Sequence, residues 1–208
     1  MGRFGTGVLL AAMVTLAGAA GAAGRGDLGA RLAQPIASGA LDLKLFDEAV
    51  TRLANAERRA RGIGPLARDR RLFAAAAEHA ANMARLATHS HRLPIAGEGR
   101  LVQRMDRNGV RYRTAGENIG MEKVLRLLGR PIAMGAQGCA FTYADDGAKV
   151  PAHSYDTLAR SAVARWMASP KHRASLLSAG FRRTGVGVAI DPGGPACGDV
   201  YLVQTFAD

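Results

Sequence analysis

The chain has 208 residues, enough for one domain with a buried core, and a formal charge of +11 from 28 lysines and arginines against 17 acidic residues. It holds neither a CxxC nor a cluster of cysteine and histidine, which excludes a zinc finger, and it holds no nucleic-acid-binding motif. The charge suits an anionic lipid surface or an acidic wall polymer, although a solvated arginine-rich surface is the simpler explanation.

Residues 1–23 have the pattern of a secretory signal peptide. Arg3 precedes an uncharged run whose most apolar part is residues 8–16, and the small residues 17–22 fit an A-x-A cleavage site. An uncleaved N-terminal anchor is the alternative, although this apolar stretch is short for a bilayer. We therefore expect an exported protein, periplasmic or extracellular, that meets the membrane only through this transient segment.

Residues 24–40 are rich in glycine and alanine and are predicted to be a linker, followed by one domain over residues 41–208. Apolar residues at helical spacing predict three helices before the first strand, over residues 42–61, 70–88 and 98–108. Asp69 is the predicted N-cap of the second helix, whose apolar face is mostly alanine and must therefore pack close to its neighbour.

A strand is predicted over residues 115–120, and an insertion at about residues 121–154 follows it. The insertion carries many glycines and prolines without a steady period. We predict a short helix over residues 121–128 and then a long loop, with His153 exposed near its end. A loop of this length in a compact domain is typically functional or mobile.

The last part of the chain predicts two helices and a hairpin. The first helix covers residues 155–168, and Ser169-Pro170 predicts another through Leu177, with serine as N-cap and proline at the first helical position. Two strands of alternating pattern, around residues 185–190 and 201–206, are predicted to pair as an antiparallel hairpin.

The two cysteines suit an oxidising compartment. Cys139 lies in the insertion and Cys197 lies in the loop before the last strand. An even number of two allows one disulfide, which would stabilise the fold by about 4 kcal/mol in the chain-entropy model. Two unpaired buried thiols are the alternative.

A series of short motifs runs from residue 41 to the end of the chain. They are Asn55-x-x-Arg58, Gly64-Pro65-Leu66, Ser90-His91, Arg104, Gly116-Glu117-Asn118-Ile119, Trp166-Met167-x-Ser169-Pro170-x-His172-Arg173, Gly185-Val186-Gly187-Val188 and Gln204-x-Phe206. In order and spacing these motifs resemble the CAP superfamily, the secreted SCP/PR-1-like proteins, in its short bacterial form. The resemblance implies an α+β fold, a three-layer α-β-α sandwich with a central antiparallel sheet and an open cleft.

The resemblance also implies which side chains line that cleft: His91, Glu117, Asn118, Ser169, His172 and Tyr201. His91 and His172 are candidate ligands of a divalent metal such as zinc, and with Glu117 they are candidate catalytic residues for acid–base work on a bound water. Asn118 is expected to fix the local backbone. His172 is expected to stay neutral because it lies near a helix N-terminus.

Several of these positions also have a purely structural interpretation. Glu117 can brace a strand end, His172 can form hydrogen bonds at a helix start, and His91 competes with His89 for the same place. His79 is expected to be structural or at the rim. Ser169 and Tyr201 stand where larger members of the superfamily carry a second glutamate and a strand histidine, which weakens the transfer of metal binding.

Three functions follow as hypotheses. The first is an exported binding module for envelope components or lipid-like ligands, acting through a cleft lined by histidine and glutamate. The second is a metal-assisted hydrolase using His91, Glu117 and His172. The third is a secreted interaction protein whose cavity is vestigial. The residues alone leave open whether the protein is an enzyme, which ligand it takes and its oligomeric state.

Overall fold

The computed structural model describes residues 1–2, 27–37, 39–135 and 138–208. Nearly all of the predicted signal peptide therefore lies outside the described residues. Within the described part of the chain, no helix is long and apolar enough to cross a membrane.

Within residues 39–135 and 138–208 the structure describes five helices and six strands. The helices are α1 (Leu43–Arg59), α2 (Arg70–Arg85), α3 (Leu101–Arg107), α4 (Tyr155–Ala168) and α5 (Pro170–Leu176). The strands are β1 (Ala67–Arg68), β2 (Ala115–Lys123), β3 (Ile132–Met134), β4 (Phe141–Tyr143), β5 (Arg183–Asp191) and β6 (Asp199–Ala207). Each of the five helices matches a predicted one to within a few residues. Asp69 caps α2 as predicted, since its carboxylate accepts hydrogen bonds from two backbone amides of the first turn.

The main sheet has the strand order β1-β5-β6-β2. Its long strands β5, β6 and β2 are antiparallel, and β5 and β6 form the predicted hairpin. The three long strands form the predicted central antiparallel arrangement, and the two-residue strand β1 pairs parallel with β5, which makes the whole sheet mixed. The predicted α+β sandwich is otherwise confirmed, and β2 forms one edge of the sheet.

The sheet separates two layers of helices, because successive side chains of a strand point to opposite faces. Val186 and Val188 belong to the larger core, which holds the buried faces of α1 and α4. Tyr201 and Val203 belong to a second cluster with the alanine-rich face of α2. The described part of the predicted linker also joins the larger core, through the buried Leu32 and Ile36.

Two glycines of β5 allow α2 to lie directly on the sheet. A Cβ at Gly185 would lie 2.0 Å from the backbone nitrogen of Phe73, and one at Gly187 would lie 2.3 Å from the carbonyl carbon of Ala76. Only glycine avoids these collisions, and the small alanines of α2 complete the close approach. The predicted close packing of α2 is therefore achieved by glycine on the facing strand.

Gly187→Ala is expected to destabilise the fold by about 1–3 kcal/mol, because helix backbone cannot move away cheaply. Gly64→Ala is the matched control, since an added Cβ there meets nothing within 4 Å. We expect the control to stay within about 0.5 kcal/mol of the parent protein in urea denaturation. Equal losses in the two variants would contradict the packing argument.

The insertion differs from its prediction. Instead of a helix over residues 121–128, β2 continues to Lys123, which pairs opposite Asp199 and forms an ion pair with it. Strand pairing with β6 therefore overrides the local sequence. Beyond it, β3 and β4 form a hairpin with a small core of its own around Leu125, Tyr143 and Val150.

His153, at the end of the insertion, is buried, in contrast to the exposed position that the sequence predicts. Its backbone donates to the carbonyl of Val124 and accepts from Ile36, so the insertion and the N-terminal segment both contact it. Burial lowers the pKa of His153, and the charge of Arg126 acts in the same direction against the opposing effect of Glu122.

The predicted disulfide is not formed. Cys139 is an exposed free thiol and Cys197 a partly buried one. Burial and the neighbouring Cys139 raise the pKa of Cys197 to about 11. The prediction rested on an even cysteine count in an exported protein, and such a count indicates that pairing is allowed without fixing the geometry of the sulfur atoms.

Candidate functional site

The candidate site begins with a buried carboxylate on the edge strand. Glu117 points toward the α2 layer, and its side chain is only 3% exposed. One guanidinium nitrogen of Arg104, Nη2, donates to both carboxylate oxygens, at 2.8 and 2.6 Å. His91 Nδ1 lies 2.9 Å from Oε1 of the same group. The prediction that His91 and Glu117 come together from distant parts of the chain is therefore supported by a direct contact.

Charge and hydrogen bonding keep Glu117 ionised. Burial acts to raise the pKa of Glu117, but the hydrogen bond with His91 and the charges of Arg104 and His79 outweigh burial. The net result is a pKa below the usual value. The site is thus a fixed negative charge whose oxygens are already occupied by cationic or donor groups.

A second buried acid extends this arrangement below the surface. Glu98 Oε1 accepts from Arg107 Nη2 at 2.6 Å, and its Oε2 lies 2.6 Å from His79 Nδ1. Arg104 Nη1 donates to the backbone carbonyl of Glu98 at 3.2 Å and to that of His91 at 3.3 Å. Arg104 therefore links the two buried carboxylates and also holds the backbone of the histidine loop.

His79 is a structural residue of this network. Its Nε2 lies 3.1 Å from the carbonyl of Ser90, and a carbonyl can only accept, so Nε2 carries a hydrogen. The fully buried imidazole thus ties α2 to the residue before His91.

The next residue of β2, Asn118, contacts α5 on the opposite face of the sheet. Asn118 Nδ2 donates to the backbone carbonyl of His172 at 3.1 Å, which fixes the start of α5 as predicted for this side chain. One residue further, the carbonyl of Ile119 accepts from Trp166 Nε1 at 3.0 Å. These contacts attach α4 and α5 to β2, the edge strand. They also satisfy part of the backbone of β2 that has no neighbouring strand.

His172 opens onto a cavity of about 280 Å³ beside this edge. The wall of this cavity also includes Ser169, His89, Trp166 and Arg165. His91 and Glu117 line a neighbouring hollow of about 370 Å³ together with Arg92, Arg100 and Leu101. His172 and Ser169 thus line one hollow and His91 and Glu117 line another, so the predicted residues do not form one shared centre.

The imidazoles of the two hollows are close enough to influence each other. Burial lowers the pKa of His172, and the charge of His91 lowers it further. The pKa of His89 is also lowered, first by burial and then by His91, Arg165 and His172. The expected neutral state of His172 is therefore supported, with burial as the leading cause in place of the helix dipole.

The remaining predicted residues have simpler places. Ser169 is the N-cap residue of α5, but its side chain makes no capping hydrogen bond. Tyr201 is 2% exposed and packs in the apolar cluster with Ile119 and Val203. Burial, followed by the charges of Asp199 and Asp191, raises the pKa of Tyr201.

The donor set does not fit a resident metal ion. Among residues 1–2, 27–37, 39–135 and 138–208, no three side chains of histidine, cysteine, aspartate or glutamate are placed to hold one. Glu117 is the acid nearest His91, and both its oxygens accept from a buried guanidinium, which competes with any cation. Metal ligation by His91 and His172, predicted from the sequence, thus has no third ligand among the described residues, and titration tests it.

The family model described as the cysteine-rich secretory protein family, CAP, matches residues 51–206. The chain belongs to the CAP family. This confirms the resemblance seen in the motifs. No curated protein sequence matches the chain.

Solved structures of bacterial CAP domains share its fold. An extracellular protein containing a SCP domain from Bacillus anthracis str. Ames is 23% identical, with a TM-score of 0.54 over 79% of this chain and 41% of that chain. An outer surface protein from Borrelia burgdorferi is 14% identical, with a TM-score of 0.54 over 80% and 96% of the two chains. The CAP domain of enterococcal PrgA is 15% identical, with a TM-score of 0.53 over 88% and 70%. This CAP chain therefore spans less than half of the Bacillus protein, and these likenesses show the fold alone.

Sequence reasoning missed the role of Arg104 and missed Glu98 altogether. Arg104 lies between Leu101 and Met105 on one face of a predicted amphipathic helix. An arginine on an apolar face needs a buried acid as partner, and that rule could have indicated a carboxylate nearby. The loop that carries Glu98 offers no comparable pattern.

Arg104→Met is expected to destabilise this CAP domain by about 3–5 kcal/mol, because it leaves the buried carboxylate of Glu117 without its guanidinium partner, whereas Glu98 keeps Arg107. Arg100→Met is the control: Arg100 is exposed and its side chain makes no capping bond at the start of α3. Urea denaturation should show a change of at most about 0.5 kcal/mol in the control. Similar stability in Arg104→Met and the parent would show that the network contributes little.

Zinc titration by calorimetry tests the metal prediction. We expect no stoichiometric binding, since Arg104 occupies Glu117 and the nearby Arg92, Arg100 and Arg165 repel a divalent cation. Stoichiometric heat in the parent protein that disappears in both His91→Ala and His172→Ala would instead establish a metal site.

Proposed function

We propose that this CAP protein is an exported binding module that holds a lipid-like ligand of the cell envelope along the β2 edge of its sheet. The observation that carries the proposal is a groove made of two adjoining cavities. The cavity of His172 and a larger one of about 540 Å³ share Met121, Glu122 and Arg165 in their walls. The larger volume is in the range of sites that bind small molecules. We call the two cavities together the edge groove.

The walls of the edge groove suit an amphiphile. Apolar side chains of the insertion form much of the larger cavity, and they include Leu125, Leu127 and Leu128. Leu128 is 59% exposed, so a large apolar side chain faces water beside an apolar wall. Burial of an alkyl chain against these groups would remove apolar surface from water, which favours binding.

The charge on the rim favours an anionic head group. Arg126 and Lys123 line the larger cavity, and Arg165 lies between the two cavities. Arg165 is 3.3 Å from Glu122, and Lys123 is paired with Asp199, whereas the described structure gives the exposed Arg126 side chain no acidic partner. An unpaired guanidinium beside an apolar wall matches a carboxylate or phosphate attached to a hydrocarbon chain.

Export is supported by the N-terminal sequence pattern. The signal-like pattern of residues 1–23 is typical of secreted proteins. The Bacillus neighbour is an extracellular protein and the Borrelia neighbour an outer surface protein, so the same fold occurs outside the cell. An exported protein meets envelope amphiphiles directly.

Palmitate and the alcohol of the same chain length test the proposal on the full chain. We expect palmitate to bind, and the alcohol to bind about tenfold more weakly because it lacks the charge that Arg126 would meet. Isothermal calorimetry below the micellar range measures both affinities. Absence of palmitate binding would overturn the proposal in favour of a vestigial cavity.

Leu128→Ser should weaken palmitate binding about tenfold, through loss of apolar contact, without lowering stability. Val102→Ser is the matched control, since Val102 is also an exposed apolar residue, at 42%, but lies on α3. Equal weakening in the two variants would place the ligand elsewhere than in the edge groove.

A further inference from the structure

A group of arginines collects at the sheet edge opposite to the edge groove. A hollow of about 440 Å³ is lined by Arg68, Arg70, Arg71, Arg111 and Arg183, with Asp69. We call these five arginines the arginine cradle. They come from β1, the first turn of α2, the segment before β2 and the start of β5. Because β1 and β2 are opposite edges of the sheet, the cradle is separate from the edge groove.

Two of the arginines form a fixed frame. Arg68 is paired with the buried Asp47 at 2.6 Å and lies 3.4 Å from Glu48. Arg183 donates to Asp69 at 2.9 Å and to the backbone carbonyls of Arg111 and Asp208. These side chains are held in place and their charges are already balanced by acids.

The single acid of the cradle, Asp69, contacts the start of α2 and Arg183. Asp69 Oδ1 accepts from the backbone amides of Arg71 and Leu72, at 2.8 and 3.2 Å, while Oδ2 accepts from Arg183. Asp69 therefore balances the frame and the helix N-terminus, and within the described residues no other arginine side chain of the cradle donates to it.

The other three arginines carry charge that these acids do not balance. Arg71 donates through Nη1 to the backbone carbonyl of Gly109 at 2.7 Å, which fixes its position without neutralising it. Arg70 and Arg111 are exposed, and among the described residues neither side chain has an acidic partner. Three exposed guanidinium groups that these acids do not neutralise thus line one hollow, and their positive charges favour an anion there.

We propose that the arginine cradle binds a polyanion with successive phosphate groups. A guanidinium group presents paired donors that match phosphate oxygens, and several such groups in one hollow favour a ligand with several phosphates over a single ion. The cradle wall contains no aromatic side chain on which a base could stack, so a phosphate polymer without bases fits better than a nucleic acid.

Calorimetry on the full chain at low ionic strength tests this assignment with tripolyphosphate and orthophosphate as probes. We expect tripolyphosphate to bind at least about tenfold more tightly than orthophosphate, and its affinity to fall as salt is added. Equal affinity for the two probes would overturn the assignment of a polyanion. Tighter binding of a single-stranded oligonucleotide with the same number of phosphates would also overturn it, in favour of nucleic acid.

The double variant Arg70→Gln with Arg111→Gln should weaken tripolyphosphate binding about tenfold or more, with an unchanged melting temperature, since both side chains are exposed. The control is Arg85→Gln with Arg173→Gln, which removes the same charge from two exposed positions outside the cradle. Equal weakening in the control would show a general charge effect and would contradict a built site.

Discussion

The buried pairing of Arg104 with Glu117 is the constraint on which the candidate site depends. A single guanidinium satisfies the carboxylate of the edge strand, lies beside a second buried acid, and holds two backbone carbonyls of the loop that carries His91. Removing this cation would leave the buried carboxylate of Glu117 without its guanidinium partner, whereas Glu98 also pairs with Arg107. The position of His91 is therefore a consequence of ion pairing in the interior, rather than of local loop preference.

The geometry of the edge strand explains why the histidines do not form one centre. Neighbouring residues of a strand point to opposite faces, so Glu117 engages the α2 layer and Asn118 engages α5. His91 and His172 approach the same edge from the two faces. The arrangement gives a cationic, partly apolar edge on which Glu117, Glu122 and Asp199 are each paired with a basic side chain.

The sequence predicted much of the architecture because the helices and the hairpin carry strong local signals. Ser169-Pro170 marked the start of α5, and alternation marked β5 and β6. The insertion was predicted less well, since pairing of Lys123 with β6 depends on a partner far along the chain. The contact of His91 with Glu117 was anticipated from family motifs. Its supporting acid Glu98 was not, because burial of a charge depends on the tertiary fold.

Glu117 and Asn118 are consecutive on β2, and this order restricts the register that the strand can adopt on folding. A slip of one residue against β6 would turn the carboxylate toward Trp166 and the carboxamide toward a buried guanidinium, leaving a charge unpaired on each side of the sheet. The buried contacts of Glu117 and Asn118 thereby favour the correct register of β2. Backbone hydrogen bonds along one side of an edge strand specify that register only weakly. A ligand that binds at this edge therefore meets a strand whose register is already fixed by contacts in the protein interior.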